Sequence, residues 1–261
     1  MTERDYKNGY SKGNKDKFDV TRQDSSLINK ITFGYSVCDG DLGKTIEALA
    51  SRGASVHYII TQDGKQLQLH NDYMKTFYAW IGKFKGESVN ETSLNIMLLN
   101  DAKSGYTSAQ IEKFTSLVKE LQAKHNIPNE NVIGLNEANP GQPYSPGLLF
   151  PWDKLAEHGI GKIIEIPKGI STECYANVGD ESSKIAEFQT LLANHGYPVQ
   201  NNGTFDDYTG HFTLAANMRY GKENSTCLSD KAFYIAQHLE DITIIGNSSN
   251  LLETESSASE L

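Results

Sequence analysis

The chain has 261 residues, a net charge of −9 and a hydrophobic content of 38%, which suits one large domain or a medium domain with a smaller one. The acidic charge argues against a nucleic-acid partner, because phosphate backbones are bound by basic surfaces. No apolar run approaches the roughly 18 residues that a membrane span needs. The polar N-terminus has no signal-peptide core, which leaves the compartment open: the cytoplasm, or the cell envelope if a signal was removed.

Three cysteines, Cys38, Cys174 and Cys227, are far apart and show no Cys-x-x-Cys spacing. An odd number excludes complete pairing within the chain, and the spacing does not indicate a zinc cluster. We therefore expect three reduced thiols in or near the cores.

Residues 1–28 are polar and without periodicity, which predicts a flexible N-terminal arm. The following segment alternates strand and helix patterns, which predicts an α/β domain over residues 29–166 with a mixed central β-sheet flanked by helices. In chain order, the predicted elements are a strand at 29–37, a helix at 42–53, a hairpin over 55–70 that turns at Asp63-Gly64, a strand at 92–100, a helix at 107–125 and a short strand at 131–134.

The composition changes after residue 166, and residues 167–183 are predicted to be a linker. Three amphipathic patterns follow and predict a small three-helix domain over 184–243, which is viable because it can lean on the first domain. The acidic, polar residues 244–261 are predicted to be a disordered tail. The predicted helices cover 185–195, 208–219 and a segment that Ser229 opens.

Several ordered motifs carry a family resemblance. They are "NETSLNI", "YTSAQIEKFTSLVKELQAKHNIPNENVIG" and "PGLLFPWDKLAEHGIG", followed by "IAEFQTLLANHGYPVQNNGTFDDYT". Over roughly residues 30–240 the chain resembles the zinc-dependent type 2 N-acetylmuramoyl-L-alanine amidases that carry a C-terminal peptidoglycan-binding domain. The resemblance implies that fold and a reaction in which zinc activates a water and a carboxylate moves the proton, to hydrolyse the amide between N-acetylmuramic acid and L-alanine.

The positions that carry this chemistry in the resembled family hold other residues here. The three zinc-ligand positions are occupied by Gly34, Leu135 and Ser145, the catalytic carboxylate position by Met97, and the lysine position by Pro143. Glycine and leucine cannot bind zinc, and a neutral serine hydroxyl is a poor ligand. We therefore expect no zinc and no catalytic residues in this chain. Two further family positions, an arginine and a histidine, are occupied by Gln142 and Tyr78.

Other side chains are weaker candidates. The resemblance implies a structural role for His57, and a new metal role for His70 lacks a second histidine at ligand spacing. Cys38 as a nucleophile is disfavoured by the neighbouring acids. Glu91 and Glu137 are expected to be solvated loop residues. Aromatic residues fall where the resembled family lines its substrate groove, and they are expected to form a glycan groove, a protein-binding surface or core: Tyr73, Phe77, Tyr78, Trp80 and Phe84.

These observations favour an amidase-fold pseudoenzyme that binds cell-wall fragments or a protein partner without cleaving them. Any wall affinity is expected in residues 180–240 and not in the emptied pocket. The alternatives are a working amidase with non-standard ligands and a regulatory or scaffold protein that does not bind the wall. Peptidoglycan, muropeptides and a protein are therefore the partners to test.

Overall fold

A computed structural model of the chain describes residues 21, 22, 24–38 and 40–241. Most of the predicted arm at 1–28 and the whole predicted tail at 244–261 lie outside these residues. The described part has the predicted α/β architecture, with a mixed sheet between helices and a set of helices after it. None of its helices is long and apolar enough to cross a membrane.

A five-stranded sheet forms the centre of the first lobe, in the order β3-β2-β6-β1-β7. Its neighbours are parallel except for the β2–β3 hairpin, which turns at the predicted Asp63-Gly64. The two remaining strands form a separate antiparallel ribbon. The strands are β1 (Lys30–Tyr35), β2 (Tyr58–Ile60), β3 (Gln66–Gln68), β4 (Lys83–Phe84), β5 (Glu87–Ser88), β6 (Ser93–Leu98) and β7 (Val132–Gly134).

Seven α-helices lie in the described residues, and most begin at a side-chain cap. The predicted cap Thr107 accepts a hydrogen bond from the backbone N–H of Gln110 at 3.1 Å, which satisfies one of the free donors at a helix start. Ser229 caps the last helix in the same way. The helices are α1 (Leu42–Ser51), α2 (Val89–Thr92), α3 (Ser108–His125), α4 (Trp152–Glu157), α5 (Ser183–His195), α6 (Asp207–Ala216) and α7 (Asp230–Gln237).

Helices cover both faces of the sheet. On one face, Phe33 of β1 and Ile96 of β6 pack against Phe114 of α3. On the other face, Met97 of β6 packs against Ile46 of α1. Because side chains alternate along a strand, this second face is also the one to which β1 presents its next position, Gly34.

A single apolar core joins the first lobe, here called the sheet lobe (residues 28–166), to the helical lobe (residues 167–241). Phe84 and Leu135 of the sheet lobe belong to the same buried cluster as Phe188, Tyr197 and Phe212 of the helical lobe. Fully burying an aromatic or leucine side chain contributes about 1.5–3 kcal/mol. The two lobes therefore stabilise each other.

The predicted linker at 167–183 is packed against the rest of the helical lobe. The backbone N–H of Tyr175 donates to the carbonyl of Leu228 at 2.9 Å, and the N–H of Ser182 donates to the carbonyl of Gly203 at 3.0 Å. A disulfide bond joins Cys174 in this segment to Cys227, so the expectation of three reduced thiols is wrong. Only Cys38 is a free cysteine.

The end of the predicted flexible arm is also packed. Thr21 forms an isolated antiparallel bridge with Met74, and Arg22 is buried. Arg22 donates hydrogen bonds to the carbonyls of Asp72 and Asn90, each at 3.3 Å. The packed part of the chain thus begins several residues before the predicted boundary.

Candidate functional site

The three positions that the resemblance assigns to zinc ligands lie around one point. Gly34 is on β1 beside Met97 of β6, and Leu135 follows β7 directly. Ser145 is brought in by its loop, because its carbonyl accepts from the N–H of Asn136 at 2.7 Å. A Cβ atom placed on Gly34 would lie 2.2 Å from Ser145 Oγ and 3.3 Å from Leu135 Cβ. The three positions therefore converge, but the residues that occupy them are not metal-binding residues.

The residues at this centre do not fit a zinc ion. Gly34 has no side chain, Leu135 is apolar and buried, and Ser145 Oγ accepts a hydrogen bond from the N–H of Tyr35 at 3.1 Å. Zinc in proteins is held by imidazole, thiolate or carboxylate groups. In the part of the chain that the structure describes, no group of three or more His, Cys, Asp or Glu residues could hold a metal ion.

The side chain of Tyr78 fills the space beside Gly34. Its hydroxyl would lie 2.8 Å from a Cβ at Gly34, and it is buried without a hydrogen-bond partner among the described residues. Burial, and secondarily the nearby Tyr35, raises the pKa of Tyr78 far above its usual range, so the phenol stays neutral. A neutral, buried phenol closes the centre and offers no anionic ligand.

The positions that the resemblance assigns to the catalytic carboxylate, the lysine and the arginine carry no charged side chain. Met97 packs with Ile59 and Tyr78 in the core on the α1 side of the sheet. Pro143 is half-buried and Gln142 is exposed on the loop that leads to Ser145. These residues supply neither a proton acceptor nor a charge that could stabilise a developing oxyanion.

Exposed apolar side chains, here called the rim, lie on the two loops that carry Tyr78 and Ser145. Trp80 is 82% exposed and Ile81 is 68% exposed, and the same loop reaches Ala138, whose carbonyl accepts from the N–H of Lys83 at 3.0 Å. Tyr144, next to Ser145, is exposed as well. The rim therefore offers aromatic and aliphatic surface in place of the polar groups that hydrolysis requires.

The loop that presents Trp80 is held by one buried amide. Asn90 donates from Nδ2 to the carbonyl of Trp80 at 2.7 Å, and its Oδ1 accepts from the N–H groups of Tyr78 at 3.1 Å and Ala79 at 2.9 Å. The backbone of Trp80 has a φ of 49°, a conformation that non-glycine residues seldom adopt. The backbone that presents the exposed indole is thus held in place.

The five aromatic residues expected to form a glycan groove, a protein-binding surface or core do not all lie on the surface. Phe84 is fully buried in the core shared by the lobes, and Tyr78 points inwards. Phe77 is half-buried near the Lys75 ammonium, and Tyr73 packs edge-on against His125. Trp80 is the most exposed of the five, because its neighbours are drawn into the core or against other elements.

Glu137 is not the solvated loop residue that the sequence suggests. It is fully buried, and both its carboxylate oxygens lie 2.8 Å from Nη1 of Arg219 in the helical lobe. Tyr197 donates its hydroxyl at 3.1 Å, and the N–H of Gly134 donates at 2.6 Å. Burial, the largest single effect, would lower the pKa of Arg219, but Glu137 together with Tyr220 and Tyr197 outweighs it and raises the pKa.

The helical lobe therefore holds the turn that follows β7. Besides the Glu137–Arg219 pair, His211 Nε2 donates to the carbonyl of Asn136 at 2.8 Å. Burial lowers the pKa of His211, which keeps the ring neutral. Leu135 lies at the start of this turn, so the helical lobe fixes the backbone on one side of the candidate site.

His57 has the structural environment that was expected for it. The ring is completely buried, with Nδ1 accepting from the N–H of Asn95 at 2.9 Å and Nε2 lying 3.0 Å from the carbonyl of Met74. Burial and the nearby Arg22 lower the pKa of His57 to about 3. Glu91 was also expected to be a solvated loop residue. It is partly exposed, but its carboxylate pairs with the ammonium group of Lys75.

The sequence profile of the N-acetylmuramoyl-L-alanine amidases matches residues 15–148. A putative N-acetylmuramoyl-L-alanine amidase of Rickettsia conorii, RC0497, is 34% identical over 215 residues, which cover 78% of this chain and 79% of the relative. The N-acetylmuramoyl-L-alanine amidase AmiD of Escherichia coli is 28% identical over 194 residues, covering 68% and 69%.

Solved structures show the same fold. AmiD from E. coli, in complex with the substrate anhydro-N-acetylmuramic acid-L-Ala-D-γ-Glu-L-Lys, has a TM-score of 0.67 at 24% identity and covers 82% of this chain and 88% of its own. AmpDh3 from Pseudomonas aeruginosa has a TM-score of 0.67 at 18% identity, covering 82% and 91%. With the profile match and the rickettsial relative, these findings show that the chain belongs to the N-acetylmuramoyl-L-alanine amidase family.

Proposed function

We propose that this protein is a family member that binds peptidoglycan fragments without hydrolysing them. The observation that carries the proposal is the filled centre, where Ser145 and the hydroxyl of Tyr78 occupy the space beside Gly34. Amide hydrolysis at neutral pH needs an activated water and a group that moves its proton. Leu135 and Met97 supply neither, and the residues at the centre do not fit the metal that would.

Binding of peptidoglycan is supported by the structural relatives and by the surface of the helical lobe. The E. coli relative holds a muropeptide substrate, and a P. aeruginosa relative holds an anhydromuramic pentapeptide. In this chain, Tyr208, Val178 and Tyr175 of the helical lobe are exposed. Aromatic faces suit sugar rings, so we assign the wall affinity to the helical lobe.

Two other functions compete with this proposal. A working amidase would need ligands from outside the positions Gly34, Leu135 and Ser145. A regulatory or scaffold protein would use the exposed apolar rim at Trp80 and Ile81 to bind another protein, since exposed apolar patches mark interaction sites. Each function predicts a different result in the two experiments that follow.

Hydrolysis is measured with an N-acetylmuramoyl-L-alanine peptide, with and without added zinc, and with the E. coli amidase as the positive control. We expect release of the peptide at the rate of the buffer alone, because neither a water-activating group nor a proton acceptor lies at the centre. Turnover that a chelator abolishes would show instead that the protein is an active amidase and would refute the non-hydrolytic function.

Binding is measured by sedimentation of the full chain with insoluble peptidoglycan. Two exposed aromatic residues provide matched variants, Tyr208→Ala on the helical lobe and Trp80→Ala on the rim. We expect Tyr208→Ala to weaken sedimentation by about 10-fold, in the range of one aromatic contact, and Trp80→Ala to leave it unchanged. The reverse pattern would move the binding site to the rim, and a chain that never sediments would favour the regulatory or scaffold function.

A further inference from the structure

A cleft lies between the sheet lobe and the helical lobe, and its lining includes none of the residues of the candidate centre. Two adjoining cavities of about 260 and 340 Å³ share Lys162, Arg219 and Tyr220 in their walls. The larger one, here called the lobe cleft, also borders His195 and Gly161. Its volume falls at the lower end of the roughly 300–1,000 Å³ that ligand sites occupy, so its occupant is small.

Arg219 has donors left over for a ligand. Both of its hydrogen bonds to Glu137 leave from Nη1, and Nε is buried with no partner among the residues described. Nη2 lies 3.0 Å from where a Cβ of residue 161 would stand, so Gly161 leaves that nitrogen open to the cleft. Nη2 is therefore a charge-assisted donor that can reach an anionic group in the cleft.

Further donors and positive charges line the cleft with Arg219. Tyr220 is buried in the cleft wall, and burial raises its pKa to about 12, so its hydroxyl is a neutral donor. Lys162 Nζ donates to the carbonyls of His238 and Asp241, each at 2.9 Å, and Lys85 Nζ donates to the amide of Asn131 at 3.0 Å. Both ammonium groups thus have neutral hydrogen-bond partners.

Acidic groups line the same cleft. Glu130, Glu240 and Asp241 are exposed there, and Glu240 accepts from His195 Nδ1 at 2.9 Å. A ligand with a negative charge alone would be repelled by these carboxylates as it is attracted by the cations of the cleft. A small ligand that carries both a carboxylate and an ammonium group complements this mixture of charges.

We propose that the lobe cleft binds a zwitterion of dipeptide size. Its carboxylate accepts from Nη2 of Arg219 and from the hydroxyl of Tyr220, and its ammonium group faces Glu130 and Asp241. The proposal is independent of the function assigned to the rim and the helical lobe, because the cleft contains none of the residues used there.

The test is a titration of ¹⁵N-labelled full-length protein with L-alanyl-L-alanine, followed by the amide shifts of Gly159, Gly161 and Leu239 in the cleft wall. We expect saturable shifts. The C-terminal amide of the same dipeptide should bind about 10-fold more weakly, because it loses a charge-assisted hydrogen bond. N-acetylation should weaken binding as well. No shifts with the dipeptide, or equal shifts with acetate, would overturn the proposal.

Two variants connect the binding to the named groups. Tyr220→Phe removes one hydroxyl and should weaken dipeptide binding by about 5- to 10-fold, and Lys85→Gln should weaken it by a smaller factor. Tyr234→Phe is the matched control, because that hydroxyl donates to the carbonyl of Glu165 at 3.2 Å outside the cleft. Melting curves establish that each variant is folded. Unchanged binding in both Tyr220→Phe and Lys85→Gln would refute the assignment.

Discussion

Breaking the buried pair between Glu137 and Arg219 is expected to cost a large part of the stability of the molecule. In Arg219→Met, the carboxylate of Glu137 would stay fully buried with hydrogen bonds only from Gly134 and Tyr197. An unpaired buried charge of this kind costs about 3–5 kcal/mol. The double variant Glu137→Met with Arg219→Met removes both charges, so its loss should be well below the sum of the two single losses.

The assay is denaturant unfolding followed by circular dichroism at pH 7, with the free energy of unfolding compared across the variants. Lys222→Met is the matched control. Its ion pair with Asp153 lies on the surface, with the two side chains 67% and 44% exposed, and its loss should cost about 0–1 kcal/mol. If Arg219→Met is no more costly than Lys222→Met, or if the single losses simply add, the pair is not a buried contact between the lobes.

Four further outcomes are expected. The purified protein should contain no stoichiometric zinc by elemental analysis, and chelator should leave its melting temperature unchanged; one tightly held zinc per chain would contradict this. Gly34→Ala should lower the free energy of unfolding by about 1–3 kcal/mol, because its Cβ would lie 2.2 Å from Ser145 Oγ, and adding Ser145→Gly should recover part of the loss. Cys174→Ser opens a disulfide that spans 53 positions and should cost about 2–4 kcal/mol in unfolding experiments; equal stability with and without reductant would argue against the bond. The pKa of His57 is lowered to about 3, so below about pH 6.5 the unfolded chain takes up a proton that the folded chain does not. The stabilisation that neutral His57 contributes is therefore complete above about pH 6.5 and falls towards about pH 3. This lowers the free energy of unfolding by roughly 2 kcal/mol at pH 5. His57→Gln should lose that part of the pH dependence, and an unchanged slope would refute it.

The sheet and most helices could be predicted because their signals are local. Apolar periodicity located β1, β6 and α3, and the cap at Thr107 fixed where α3 begins. The meeting of Gly34 with Leu135 also follows from the fold, because the parallel strands β1 and β7 end at the same edge of the sheet. Apolar periodicity and strand register can be inferred from the sequence without knowing which distant residues are in contact.

The contacts that hold the lobes together could not be predicted in this way. Glu137 follows a short strand in a polar loop. Its carboxylate can be buried because it pairs with the guanidinium of Arg219, which lies 82 positions later in the chain. Phe84 lies in an aromatic segment whose buried and exposed members look alike in sequence. The Cys174–Cys227 bond was missed for a related reason, since spacing alone does not give a pairing.

The continuous apolar core has a consequence for how ligands of this protein can be found. Since residues of both lobes are buried in one cluster, neither lobe can unfold without exposing apolar surface on the other, and the chain should melt in one transition. A compound that binds only the native state, at whichever surface, then raises that single melting temperature by mass action. One thermal-shift screen thus reports on occupancy of the lobe cleft, the rim around Trp80 and the helical lobe together, and the surface variants assign each hit to its place.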